Sequence, residues 1–226
     1  MFVFSPSNMS TYMQCPRKFQ AQSITKELKW QATKEKSRGT LIHNCMEKAL
    51  QEGYEAVKTW PEGMDMSFVK KSVDAARTVV TQDPVQLFIE HEMTVTDAWK
   101  ETGWWDADAF LRAKADALIL VPQHHALLLD FKSGKVYDRD CFQLRVEALL
   151  THLIYGVPTV GYSYWYVDSG ERVSGVCEFS LGYHQVQDVL DLMKTMRDAI
   201  NGNIFIPRRN KFCKWCGLHK TPECGL

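Results

Sequence analysis

The stretch Ala126-Leu127-Leu128-Leu129-Asp130-Phe131-Lys132-Ser133-Gly134 constrains this chain most. Its short apolar run reads as a fully buried strand, and it ends by delivering an acid and a lysine. Side chains alternate along a strand, so Asp130 and Lys132 share one face and Phe131 points to the other. Upstream, Leu111 to Leu120 forms a second apolar run with Asp116 at its middle. Two acids and a lysine on neighbouring strands can hold a hard divalent cation beside a phosphate. A lone Asp-x-Lys is more often a surface ion pair, so the rest of the chain must decide.

The 226 residues suit one large domain. Lys+Arg and Asp+Glu balance at 27 each, so any nucleic-acid binding must come from local patches. The start, Met1-Phe2-Val3-Phe4-Ser5-Pro6, does not read as an export signal, and no apolar run reaches bilayer length. We therefore expect no membrane association and a cytoplasmic protein (host cytoplasm for a viral source). In such a reducing compartment, clustered thiols among the seven cysteines point to metal more than to disulfides.

In chain order, Ser7 to Met13 is a short capped helix, followed by Cys15-Pro16-Arg17-Lys18-Phe19. After the basic Lys34 to Arg38, Gly39-Thr40 opens a helix with an apolar stripe at Leu41, Ile42, Cys45, Met46 and Ala49. His43 and Glu47 lie together off that stripe. The second part of Glu52 to Gln82 is helical scaffold. Val85 to Ile89 leads into a strand over Glu90 to Thr96, and with the two apolar runs this predicts a three-stranded meander. Phe142 to Tyr155 reads as a helix ended by Gly156-Val157-Pro158, with Gln143, Glu147, Leu150 and Ile154 on one face. Strands over Thr159 to Val167 and Val173 to Phe179, and a helix over Gln185 to Ile200, follow. Trp104, Trp105 and the Tyr162 to Tyr166 aromatics are read as packing, and Cys45, Cys141 and Cys177 as structural.

The tail from Ile206 to Leu226 has Cys213-Lys214-Trp215-Cys216 and then Cys224, among Arg208, Arg209, Lys211, Lys214 and Lys220. A C-x-x-C step puts two thiolates on one turn, able to hold one metal centre. The fourth ligand must come from elsewhere: Cys15, or His219 if the metal is zinc. Trp215 could stack on a base or pack over the centre.

Taken together, His43 on an early helix, Asp116, Asp130-Phe131-Lys132 and Gln143 on the next helix resemble the PD-(D/E)XK nuclease superfamily. The likeness extends from Ser5 to Cys224, in family order, to its RecB-like iron–sulfur branch. That branch holds AddB-type nuclease domains and the CRISPR-adaptation (Cas-four) exonucleases. Three positions depart from the pattern: Glu147 stands where a tyrosine is common, Ala113-Lys114-Ala115 precedes Asp116, and Asp130 replaces the commoner glutamate.

The resemblance implies an α/β (α+β) fold with a restriction-endonuclease-like core, a mixed central sheet flanked by helices. Residues 1–226 would form a single nuclease domain, with 1–30 and 201–226 joined through a [4Fe–4S] cluster on Cys15, Cys213, Cys216 and Cys224. The expected activity is Mg2+- or Mn2+-dependent deoxyribonuclease action, as an exonuclease in DNA recombination, repair or end processing. Its partners would be DNA and other recombination or repair proteins. Asp116, Asp130, the Phe131 carbonyl and His43 would be metal ligands, with Glu92 adding a carboxylate. Glu90 is its rival, because strand alternation puts both on one face. Lys132 would orient water or stabilise phosphate charge, and Gln143 would hold Lys132 or the DNA backbone. Arg208, Arg209, Lys211 and Lys214 would bind DNA phosphates. The alternatives are a silent, metal-stapled DNA-binding or inhibitory protein, and a nuclease whose tail is stapled by Zn2+.

Overall fold

Strands β1 (Gln86–Val95), β2 (Leu111–Val121), β3 (His125–Lys132), β4 (Thr159–Tyr166) and β5 (Glu171–Glu178) form one five-stranded sheet in that order. The structure, a computed structural model, describes residues 2–28, 34–219 and 221–224. Lys220 of the basic tail lies outside them, as do positions 1, 29, 30, 225 and 226 of the expected cluster subregion. The predicted meander is present: β1, β2 and β3 pair antiparallel. The next pair, β3 and β4, is parallel, and β5 returns antiparallel to β4.

A parallel pair needs a crossover, which α5 (Phe142–Tyr155) supplies. Its C-cap Gly156 takes φ +66, where a Cβ would be strained, and its N–H closes onto the His152 carbonyl. Pro158 then prevents the helix from continuing. The remaining helices are α1 (Pro6–Gln14), α2 (Pro16–Phe19), α3 (Lys34–Glu52), α4 (Met66–Val80) and α6 (Gln187–Gly202).

Apolar alternation splits the core in two. Met9, Phe19, Leu118, Leu128, Leu144 and Met196 bring α1, α5 and α6 onto one sheet face. Ile42, Met46, Val69, Ile119, Leu129 and Phe131 bring α3 and α4 onto the other. Phe131 thus points away from Lys132, which lies over the Tyr164 ring at 4.9 Å. Among the described residues, no helix is long and apolar enough to cross a membrane.

Helix α3 begins at Lys34, earlier than the Gly39-Thr40 start expected from the glycine. Lysine and glutamate are good helix formers, and one interior glycine costs only about 1 kcal/mol against alanine. Tertiary contacts also hold this turn: the Arg38 guanidinium donates to both Asp168 carboxylate oxygens at 2.8 Å. Asp168 Oδ2 accepts the Gly134 N–H at 2.6 Å as well, tying the turn after Lys132 to α3. Asp168→Ala should therefore lower stability by about 2 kcal/mol, through two orphaned donors. A melting temperature within a degree of wild type, read by calorimetry, would mean that the tie carries no weight.

Candidate active site and a cysteine-lined cavity

The central strands change face at one level. In β2, Ala113 and Ala115 pack on the α5 side, whereas Ala117 and Ile119 pack on the α3 side. In β1, Leu87 and Ile89 pack against the α3-side core, and Met93 and Val95 belong to the α5-side core. The switch falls at Glu90 and Asp116, between the paired positions Ile89↔Ala117 and His91↔Ala115. Glu90 makes it by adopting φ +50, a strained backbone for a residue with a Cβ. Strict alternation from Glu90 to Glu92 therefore does not hold. Glu92 is exposed and lies opposite Lys114, whereas the ligand atoms of Glu90, His43 and Asp116 all lie within 4.8 Å of one another. The place expected for Glu92 is taken by its rival.

His43 reaches this group from α3, with Nδ1 3.3 Å from Asp116 Oδ1. The other carboxylate oxygen of Asp116 accepts the Phe131 N–H at 2.8 Å, locking the acid against β3. Burial pulls the His43 pKa down, but the hydrogen bond and charge of Asp116, with Asp130 behind, raise it to about 9. Glu47, one turn along α3, is pushed up to about 7 by burial and by Glu90 and Asp116. Glu90 also pairs with Lys114. Three carboxylates and an imidazole crowded together suit a divalent cation, which would relieve their mutual repulsion.

Asp130 is 2% exposed. Its Oδ1 meets the Lys132 ammonium at 2.7 Å, and its Oδ2 accepts from Gln143 Nε2 at 2.6 Å. Gln143 in turn accepts from Lys132 at 3.2 Å and donates to Glu147 Oε1 at 2.9 Å. Burial and Asp116 push Asp130 up to about 6, against the pull of Lys132. Burial, then Asp130, raises Glu147 well above the carboxylate range. Gln143 therefore ties Lys132, Asp130 and Glu147 into one chain. The structure thus brings His43, Asp116 and Glu90 into one group, to which the Phe131 amide is tied, while Asp130, with both oxygens held by Lys132 and Gln143, stands outside that group and feels it through charge.

A separate cavity of about 350 Å³ lies between the chain ends. Cys15, Cys213, Cys216 and Cys224 all line it, and so does His219. Two of the sulfurs already receive backbone donors: Arg208 N–H to Cys15 Sγ at 3.4 Å and Asn210 N–H to Cys213 Sγ at 3.2 Å. Arg208, Arg209, Lys211 and Lys214 border the same cavity. Trp215 is 70% exposed with the Lys214 ammonium 4.0 Å from its ring, so it does not pack over the cavity.

Some features escaped the sequence reading. Trp105, read as packing, is 84% exposed, and the Arg112 guanidinium lies 4.6 Å and 5.2 Å from the Trp104 and Trp105 rings. Glu47 was visible as the neighbour of His43 at helical spacing, but nothing on α3 showed that Glu90 would bend toward it.

The chain belongs to the PD-(D/E)XK nuclease superfamily, whose family model matches residues 3–221. Members of this superfamily are metal-dependent nucleases, and the mixed sheet flanked by helices is the fold expected of them. No curated protein matches the sequence. Among solved structures, one described as "Crystal structure of SSO0001" is similar over 100% of this chain and 88% of its own. Its identity is 13% and its TM-score 0.43, too distant to carry an argument.

Proposed function

We propose that this protein is a divalent-metal-dependent DNA exonuclease of the RecB-like iron–sulfur branch, working on DNA ends in recombination or repair. The observation that carries the proposal is the grouping of His43, Glu90 and Asp116 at the level where β1 and β2 change face, beside the Asp130–Lys132–Gln143 chain. These residues fit a hard cation, with His43, Asp116, Asp130, the Phe131 carbonyl and Glu90 as its ligands. Glu92 stands outside that set. When bound, the cation lowers the pKa of its water and draws charge from the phosphate. Lys132, held by Gln143 and Asp130, points its ammonium at the same place to orient the attacking water or meet developing negative charge. Asp116 holds its position through the Phe131 amide, so its geometry is set before substrate arrives.

The cysteine set fits an iron–sulfur cluster by its chemistry: four thiols line one cavity, with backbone N–H groups directed at two of them. Its role in this proposal is to clip the chain ends and present Arg208, Arg209, Lys211 and Lys214 to DNA phosphates. His219 on the same cavity keeps a zinc site as the competing chemistry. The decisive assay incubates end-labelled single- and double-stranded DNA with Mg2+ or Mn2+. Laddering from one end supports an exonuclease. Internal cuts alone would make it an endonuclease, and intact DNA under every condition would remove the enzymatic reading.

The protons held at the site add a prediction. His43, raised to about 9, and Glu47, raised to about 7, must give up protons as a cation binds. Mn2+ affinity should therefore rise with pH from 6 toward 9, with net proton release at neutral pH. Calorimetry in two buffers of different ionisation enthalpy reads the release directly. Equal heats in both would mean that His43 is not displaced from its proton and is not a ligand.

A further inference from the structure

A second cavity of about 350 Å³ opens on the α1 side of the site. Ser7 and Ser10 of α1, Trp104 and Arg112 line it, and Gln143 and Glu147 complete the wall. Gln143 also holds Lys132 and Asp130, so the groove adjoins the reacting centre. Backbone bonds from Phe4 to Phe110 and from Arg112 to Phe4, at 2.8 and 3.0 Å, seat the start of α1 against β2.

Three independent features give the groove its chemistry. The first turn of α1 carries the positive end of the helix dipole; Ser5 and Asn8 cap it, the Ser7 hydroxyl stands in that turn, and Ser10 follows in the next. Arg112 adds a full positive charge, with the exposed Trp105 ring 5.2 Å from its guanidinium. Glu147 is 1% exposed: Oε1 accepts from Gln143, while Oε2 is buried with no partner among the described residues. A buried oxygen left in that state points to a ligand that completes it.

We propose that this groove is a subsite for one nucleotide of an unpaired DNA strand flanking the scissile bond. Its phosphate is received by Ser7, Ser10 and Arg112, and its base stacks on Trp105. The proposal rests on the nuclease reading above and adds a strand preference to it. A base inside a duplex keeps both faces stacked on its neighbours, so only an unpaired base can lie on the open indole. Glu147 Oε2, unpartnered among the described residues in the groove wall, is the atom a ligand would complete, and burial with the nearby Asp130 favours the uncharged carboxyl, which does not repel a phosphate.

The test is equilibrium binding of a short fluorescent single-stranded oligonucleotide, and of its paired duplex, in calcium. Ser7→Asp places a carboxylate in the first turn of α1, where the helix favours it, so the melting temperature should hold or rise. Affinity for the single strand should nevertheless fall about ten-fold, because the new charge faces the phosphate. Trp105→Ala, at an exposed position, should weaken the single strand about ten-fold and leave the duplex unchanged. An abasic scan should find one nucleotide whose missing base makes Trp105→Ala neutral. Wild-type affinity in both variants, or equal losses on single strand and duplex, would overturn the subsite even if the protein cleaves DNA. Failure of the wild type to hydrolyse DNA would overturn the nuclease reading, and the binding cycle would still decide the groove.

Discussion

Asp130→Asn should lower DNA hydrolysis about a thousand-fold or more, the several kcal/mol that a misheld cation and its polarised water represent. The substitution keeps the shape of the side chain and removes one of its charge-bearing oxygens. It also weakens two contacts at once, the 2.7 Å ion pair with Lys132 and the 2.6 Å bond from Gln143. Truncation to alanine is a poorer probe. Lys132 has a side chain only 17% exposed, and deleting Asp130 leaves its ammonium with Gln143 alone. Orphaning a buried charge can cost about 3–5 kcal/mol, so Asp130→Ala would mix folding with chemistry. Asp130→Asn should instead melt within a few degrees of wild type and bind Mn2+ weakly. Near wild-type hydrolysis by Asp130→Asn would sink the site assignment. Inactivity with unchanged Mn2+ affinity would move Asp130 from ligand to positioning residue.

How much of this was legible depended on whether a residue obeys regular periodicity. The strand carrying Asp130 alternates faithfully, so the shared face of Asp130 and Lys132 could be read directly, as could the buried side of Phe131. Helix α5 keeps its period and ends at its glycine, so Gln143 and Glu147 were correctly placed together. The choice between Glu90 and Glu92 was misread because it turns on one left-handed backbone, at a residue whose sequence gives no glycine or asparagine warning. Tertiary crowding at the sheet kink decides that conformation, and local propensity does not.

Glu147 shows a similar limit. Its helical position was visible, but its burial was not, and with burial its meaning changes. As a solvated acid it would repel the DNA backbone; enclosed, with one oxygen held by Gln143, it becomes part of the site's wall. Trp105 was misjudged for the opposite reason: large apolar side chains are usually packed, as the half-buried Trp104 is, and here the connection between β1 and β2 leaves Trp105 outside. The cysteine tail was legible as donors. The residues alone left the fourth donor open between Cys15 and His219, both of which line the same cavity, and only the family likeness favoured Cys15, since no local rule links residues so far apart.

The second large effect should appear at Cys15. In Cys15→Ala we expect purified protein to lose its iron and its brown colour, while Cys45→Ala keeps both. Cys45 lies on α3 with its thiol directed at the Thr59 carbonyl, away from the cysteine-lined cavity. The four thiols line one cavity only in the folded chain, so a cluster bound as proposed would contribute its binding energy to folding, and removing a ligand should loosen what it clips. The loosening should be local. Arg208 still donates to the Met13 carbonyl at 2.7 Å, Asn210 to the Gln14 carbonyl at 2.9 Å, and Phe205 still packs on Phe19. Amide exchange should therefore quicken in the tail and around α2 while α5 and the central strands stay protected. DNA affinity should fall about ten-fold and its salt dependence weaken, since Lys211 and Lys214, beyond the Asn210 tie, are no longer held beside Arg208 and Arg209. Iron retained at full stoichiometry in Cys15→Ala would remove Cys15 from the ligand set. Anaerobically purified wild-type protein carrying one zinc and no iron would replace the cluster with a zinc site, its fourth ligand Cys15 or His219.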